Sequence, residues 1–134
     1  MVTVGQLQTA KPDLWHAAAT AWQNLVNRAH ETSDDIRDRG VGEINEHWTD
    51  EVGQRASATF ASAADGFDIA ADTIDGIVMV LDGLADAISM AQTTLEEALR
   101  EAGELDLSVA DDGQVRVTED GLAGALGNAR LQNV

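Results

Sequence analysis

The sequence predicts an all-α fold: an elongated antiparallel helical hairpin, followed by a small C-terminal β-hairpin and a candidate short last helix. Three observations predict it. Apolar or small residues recur at steps of three and four along two stretches, residues 15–36 and 60–102. The apolar fraction is 44%, yet it includes only two Phe, three Trp and no Tyr, so alanine supplies much of it. A core of that kind suits closely approaching helices better than stacked sheets. Finally, the only proline, Pro12, stands just ahead of the first stripe. There its ring is tolerated, because the first turn of a helix has no use for that N–H.

The elements follow in order within one expected domain, 1–134. Val2, Val4 and Leu7 form a short lead-in turn or helix. The first long helix is expected over 12–48, carried by Trp15, Ala18, Trp22, Leu25, Ala29 and Ile36. Gly40 and Gly42 weaken it, since each glycine costs about 1 kcal/mol relative to alanine within a helix. Spacing four through Ile36, Gly40, Ile44 and Trp48 nevertheless carries it on. Trp48-Thr49-Asp50-Glu51 reads as a turn, with Thr49 or Asp50 capping the next helix. The second helix is expected over 50–102. Its seam is Phe60, Ala63, Phe67, Ala70, Ile74, Ile77, Leu81, Leu84, Ile88, Ala91, Leu95, Ala98 and Ala102.

At 1.5 Å per residue the second helix is roughly 75–80 Å long and the first about 54 Å. Part of the second therefore overhangs, bends at Gly76 or Gly83, or packs on something else. Small residues at Ala63, Ala70, Ala91 and Ala98 are expected to let backbones approach, with Phe60 and Phe67 as knobs. Gly103 is expected to end the helix. Leu105, Leu107 and Val109, the turn Asp111-Asp112-Gly113, and Val115 and Val117 predict a β-hairpin over 104–118. Such a pair of strands is barely stable alone and must lean on the helices. A last helix over 119–133 would run through Leu122, Ala125, Leu126 and Ala129.

Composition also excludes function classes. Eight basic against 24 acidic residues give a net charge of −16, which disfavours nucleic acid as a partner and adsorption to anionic membranes. No apolar run approaches the roughly 18 residues needed for membrane insertion. Met1–Ala10 has neither the basic start nor the apolar stretch of a general secretory signal, so any export needs another route. There is no cysteine, and His16, His30 and His47 are too far apart for an i, i+4 ligand pair. Asp111-Asp112-Gly113 lacks the alternating ligands of a calcium loop. No catalytic, cofactor or metal site is expected, and the protein is read as not an enzyme.

Two features point to a protein partner. Asp65, Asp68, Asp72, Asp75, Asp82 and Asp86 line one flank of the second helix. They form a solvated face, a docking surface for a basic partner, or a nucleic-acid mimic. Ile77, Val78, Met79, Val80 and Leu81 span every face of the helix, more than one neighbouring helix can cover. The candidate partner interface is therefore Phe60, Phe67, Ile74, Ile77, Val78, Leu81, Leu84 and Ile88.

A helix, a turn carrying tryptophan and a second long helix in an Ala-rich acidic chain resemble the Trp-X-Gly (WXG) family of type VII (ESX) secretion. The likeness is to the longer actinobacterial forms that serve as N-terminal trafficking domains of larger effectors. Val2-Thr3-Val4-Gly5-Gln6-Leu7 running into Pro12-Asp13-Leu14 resembles their opening. Glu101-Ala102-Gly103 with Val109-Ala110-Asp111-Asp112-Gly113-Gln114-Val115 resembles their ending. The likeness covers about residues 2–118, and seven arginines to one lysine fit a high-GC bacterium.

Trp48 matches the family's turn tryptophan, while Asp50 stands where the family has glycine. The companion Tyr signal is missing, since the chain has no tyrosine. Trp48 and Asp50 are thus the candidate secretion motif. Trp48 serves either a secretion ATPase or simply as a wedge at the end of the hairpin. The resemblance implies a secretion substrate or trafficking domain that pairs, as homo- or heterodimer, with a similar hairpin into a four-helix assembly. It implies one half of a composite export signal, or a chain that has lost export, and a location that is cytoplasmic before secretion. The competing class is an acidic immunity or inhibitor protein whose carboxylates fill a toxin's basic groove.

Overall fold

The computed structural model describes residues 1–132 and is mostly α-helical, with one two-stranded antiparallel sheet near the C-terminus. The helices are α1 (Val4–Thr9), α2 (Pro12–Asp35), α3 (Gly42–His47), α4 (Glu51–Glu104) and α5 (Glu119–Gln132). A π-helical segment, Ile36–Val41, joins α2 to α3, and strands β1 (Leu107–Val109) and β2 (Val115–Val117) lie between α4 and α5. The chain gathers into two compact units, Asp13–Ala85 and Met1–Pro12 with Asp86–Val134, and α4 runs through both.

In the unit Asp13–Ala85, α2 and α4 pair antiparallel. His16 meets Asp82 while His30 meets Asp68, so rising numbers on one helix face falling numbers on the other. The expected helix over 12–48 is continuous, with helical dihedrals at Asp35, Val41 and Gly42, but it changes type on the way. A π turn absorbs an extra residue and alters the phase of whatever follows. Beyond it, Asn45 Oδ1 accepts a hydrogen bond from the Ser57 hydroxyl of α4 at 2.8 Å. The weak Gly40-Val41-Gly42 stretch falls where the helix type changes. Gly40 also seats an aromatic ring: a Cβ there would lie 3.4 Å from Phe60 Cδ1.

The seam is the main departure from the sequence expectation. On α4 the buried residues are Gly53, Ser57, Ala64, Ala71, Val78 and Ala85, and on α2 they are Ala19, Val26 and Ser33. Beyond Gly53, both sets repeat every seven residues. Assigning them to position a of a heptad puts Phe60, Phe67, Ile74 and Leu81 at d, and Ala63, Ala70, Ile77 and Leu84 at g. Ala63, Ala70, Ala91 and Ala98 are exposed, so the alanines that let the backbones approach are Ala64, Ala71 and Ala85. The physical reason is size: a tight antiparallel pair closes on its smallest side chains and displaces the large ones to its edge.

Residues Met1–Pro12 and Asp86–Val134 make the second unit. Six-residue α1 could not persist in isolation. It carries a capping box, with the Gln6 N–H donating to Thr3 Oγ1 at 3.1 Å and the Thr3 N–H to Gln6 Oε1 at 3.0 Å. The Gln92 amide of α4 donates to the carbonyls of Leu7 at 2.9 Å and Ala10 at 2.6 Å. Val4 and Gly5 N–H groups donate to Asp111 O and Oδ1 at 2.9 and 2.7 Å. Part of α4 left over by the hairpin is thus occupied by the chain's own first helix.

Helix α4 runs unbroken past Gly76 and Gly83 and includes Gly103. The left-handed residue after it is Asp106, with φ 55°, not the expected glycine. Aspartate tolerates that region, and the Asp106 carbonyl accepts the Thr118 N–H at 2.8 Å. The β-hairpin pairs Leu107 opposite Val117 and Val109 opposite Val115, while Leu105, expected in the strand alternation, falls in the turn before β1. Its turn places Gly113 at φ 86°, with the Gly113 N–H on Ala110 O at 2.9 Å. Thr118 caps α5 through the Gly121 N–H at 3.0 Å. Of the expected last helix, residue 133 lies outside the described residues.

The sequence reading passed over Gly53. A Cβ there would overlap the Trp48 carbonyl oxygen and fall 2.8 Å from Trp48 Cγ, whereas one at Gly76 meets nothing within 4 Å. Gly53→Ala should therefore cost about 1–3 kcal/mol through overpacking, despite alanine's better helix propensity. Gly76→Ala should gain about 0.5–1 kcal/mol. Urea unfolding of both variants checks the opposite signs, and a stabilising Gly53→Ala would refute the close approach.

Candidate protein-interaction face

The hairpin has two unlike sides. Position e lies about 40° round the helix from a, whereas d lies about 60° the other way. In an antiparallel pair, equivalent flanks meet. The e flank is polar: His16 Nδ1 is 2.9 Å from Asp82 Oδ1, and His30 Nδ1 is 3.4 Å from Asp68 Oδ1. Arg37 donates to Asp68 Oδ2 at 2.7 Å, to Asp65 Oδ1 at 2.6 Å, and to the buried Ser33 hydroxyl. Half-exposed ion pairs of this kind add little net stability. Their effect is on register, since a slip by one residue would break several together.

Hydrogen bonds from Arg37, then from the Ser33 hydroxyl and His30, hold the Asp68 carboxyl below the usual carboxylate range. The same contacts to Asp68 and Asp65 raise Arg37 above its ordinary value. Asp65, Asp68 and Asp82 of the acidic flank are therefore engaged within the chain, by Arg37, His30 and His16 of the preceding helical segment. Asp72 and Asp75 have no such partner among the described residues.

On the d and g flank the large residues stand half out. Trp15, Trp22 and Leu25 of α2 and Phe60, Phe67, Ile77 and Leu84 of α4 are each 40–45% exposed. These seven side chains form one half-exposed apolar flank, and an exposed cluster of large apolar residues of this kind marks a surface suited to a partner. Val80, at the neighbouring c position, is 68% exposed and widens the patch. No charged residue occupies c, d or g of α4 from 57 to 85. Of the sequence-predicted interface, Phe60, Phe67, Ile77 and Leu84 lie on this face, and Ile74 and Leu81 are half-buried beside the seam. Val78 faces inward, 8% exposed in the seam itself. Ile88 is half-buried and belongs to the other unit.

The tryptophan turn is built by capping. Trp48 ends α3, its N–H on Ile44 O at 2.8 Å, and its side chain is half-exposed. Asp50 Oδ1 accepts the Gly53 N–H at 2.8 Å, and Asp50 O accepts the Gln54 N–H at 2.9 Å. The Gly53 N–H, then the Trp48 indole, hold the Asp50 carboxyl below its ordinary range. Asp50, not Thr49, is thus the cap of α4. Nearby, Glu43, Glu46 and His47 could reach one ion from α3, but all are exposed and His47 is 3.4 Å from Glu43 as an i, i+4 pair. Among the described residues no helix is long and apolar enough to cross a membrane. Compared with known protein families, curated proteins and solved structures, the chain matches none.

The depressed Asp68 carboxyl has a definite linkage sign. It contributes stability above the unfolded-state value of about 3.9, and that contribution is lost as pH falls through the lower folded value. Asp68→Asn should therefore trail the native protein at neutral pH, and the gap in urea midpoint should close as pH drops below about 4. A gap that widens in acid would contradict the pairing.

Proposed function

We propose that this chain is a non-enzymatic protein-interaction module that pairs, through the d and g flank of its hairpin, with a second helical hairpin to form a four-helix assembly. The observation that carries the reading is the apolar face on one side of a protein of net charge −16, with no charged residue at c, d or g of α4 from 57 to 85. At about 25 cal/mol per Å², covering such a surface on both partners offsets the cost of association. Because every aspartate of α4 between 57 and 85 sits at b or e, like charges do not meet there.

The module is further proposed to serve type VII secretion, as a substrate or trafficking domain exported from the cytoplasm. This rests on the resemblance, and one contact supports it. The two segments that resemble the family's opening and ending are hydrogen-bonded to each other through Val4, Gly5 and Asp111. The immunity or inhibitor reading is less favoured, since three of its carboxylates are already engaged with His16, His30 and Arg37.

The test is the solution mass of the purified chain, alone and co-expressed with the products of neighbouring genes, in about 0.5 M salt, where ionic contacts are screened. A stable complex is expected, weakened at least tenfold by Phe67→Ser, with the fold of the monomer retained. A monomer indifferent to every neighbour, or a complex that collapses with salt, would count against pairing through this face. Export of the complex should fall with Trp48→Ala at nearly unchanged melting temperature; loss of folding would assign Trp48 a structural role instead.

A further inference from the structure

The β-hairpin belongs to a unit without an interior of its own. In Met1–Pro12 with Asp86–Val134, no residue is buried among those described. Leu107 and Val109 of β1 are half-buried, but all three residues of β2 are exposed, Val115 at 58% and Val117 at 56%. A two-stranded hairpin is marginal in water, and a third strand or a packed helix normally completes it. Here β2 is left uncovered.

The pairing identifies which backbone groups are open. The Ala110 N–H donates to Gln114 O and the Thr118 N–H to Asp106 O, both at 2.8 Å. In the alternation of an antiparallel ladder, Leu107–Val117 and Val109–Val115 are then the pairs without hydrogen bonds between them. The N–H and C=O of Val115 and Val117 therefore point out from the free edge of β2. No hydrogen bond engages them among the described residues. Their side chains share one face of the sheet with Leu107 and Val109, while Ser108 and Arg116 take the other. An added strand uses these two features together: open backbone groups give affinity, and alternate apolar side chains give specificity.

Charge defines the kind of strand. Between residues 101 and 129 there are seven carboxylates and a single cation, Arg116. Asp111 and Asp112 precede β2 and Glu119 and Asp120 follow it, so both ends of the edge are acidic. A segment with basic ends is attracted there and one with acidic ends is repelled. We infer that the outer edge of β2 docks an extended segment of a partner protein, apolar at alternate positions and basic at both ends, as a third strand. The site uses none of the residues of the proposed pairing face.

The probe is a synthetic peptide of about nine residues, alternating valine and threonine with paired lysines at each end. Its control carries glutamates in place of the lysines. In NMR amide exchange on the full chain, Val115 and Val117 should be unprotected when free and slow at least tenfold with saturating lysine peptide. The glutamate peptide should bind at least tenfold more weakly at low salt. Val117→Pro removes one outward N–H, a change that an edge strand tolerates, and should weaken binding at least tenfold. N-methylation of the peptide's valines leaves the protein untouched, removes the N–H groups that would reach β2, and should abolish binding. Undiminished binding of the methylated peptide, equal binding of the lysine and glutamate peptides, or no binding at millimolar concentration would each overturn the inference. Protection of Val115 and Val117 that grows with the concentration of the chain alone would assign the edge to a second copy and overturn the basic partner.

Discussion

The close approach of α2 and α4 along their smallest side chains constrains the rest of the hairpin. Ala64, Ala71 and Ala85 on one helix, and Ala19 and Ser33 on the other, leave little room between the backbones. Bulk is then excluded from the seam, and Val26 and Val78 are the largest residues admitted. Tryptophan and phenylalanine at d can only lean over the edge, with half of each ring still wet. The same nearness lets short carboxylates at e reach histidine and arginine across the pair. Both flanks are therefore consequences of one packing choice, and their characters are opposite because the heptad assigns Asp to one and aromatic or aliphatic residues to the other.

That division reconciles a strongly acidic chain with the proposed association through an apolar surface. Long-range repulsion between acidic proteins is screened within about 8 Å at physiological salt, so what matters is which groups come into contact. On the d and g side the contacts are apolar. The ladder on the far side fixes the register, and at the turn end of the pair Phe60 lies against Gly40. The turn contributes in the same sense: Asp50 caps α4 and Gly53 lets the first turn of α4 lie against the Trp48 backbone, so both helices enter the seam in phase.

Much of the fold was legible in the sequence. The 3.6-residue rhythm located both long helices, Asp111-Asp112-Gly113 located the strand turn, and Pro12 marked a helix start. What was not legible was the facing of the rhythm. Large apolar residues dominate a hydropathy pattern, so Phe60, Phe67, Ile77 and Leu84 were expected to define the seam. Alanine and serine are nearly silent in that pattern, yet Ser57, Ala64 and Ala71 fill it. The paired acids were hidden for a related reason, since their partners lie dozens of residues away. Gly53 and Asp106 depend on a carbonyl and a left-handed dihedral that no residue spacing reports. The apolar face itself was read in part: four of its eight expected residues lie on it, while Val78 had to turn inward because heptad spacing places it with Ala71 and Ala85.

Two adjacent alanines separate the seam seen in the structure from the seam suggested by hydropathy. The most direct measurement compares the equilibrium unfolding free energies of Ala71→Leu and Ala70→Leu in the full chain. With Ala71 at the closed seam, leucine there should cost about 1–3 kcal/mol by overpacking, while leucine at the exposed Ala70 should change stability by no more than about 0.5 kcal/mol. The reverse order, a tolerated Ala71→Leu and a disruptive Ala70→Leu, would contradict the account.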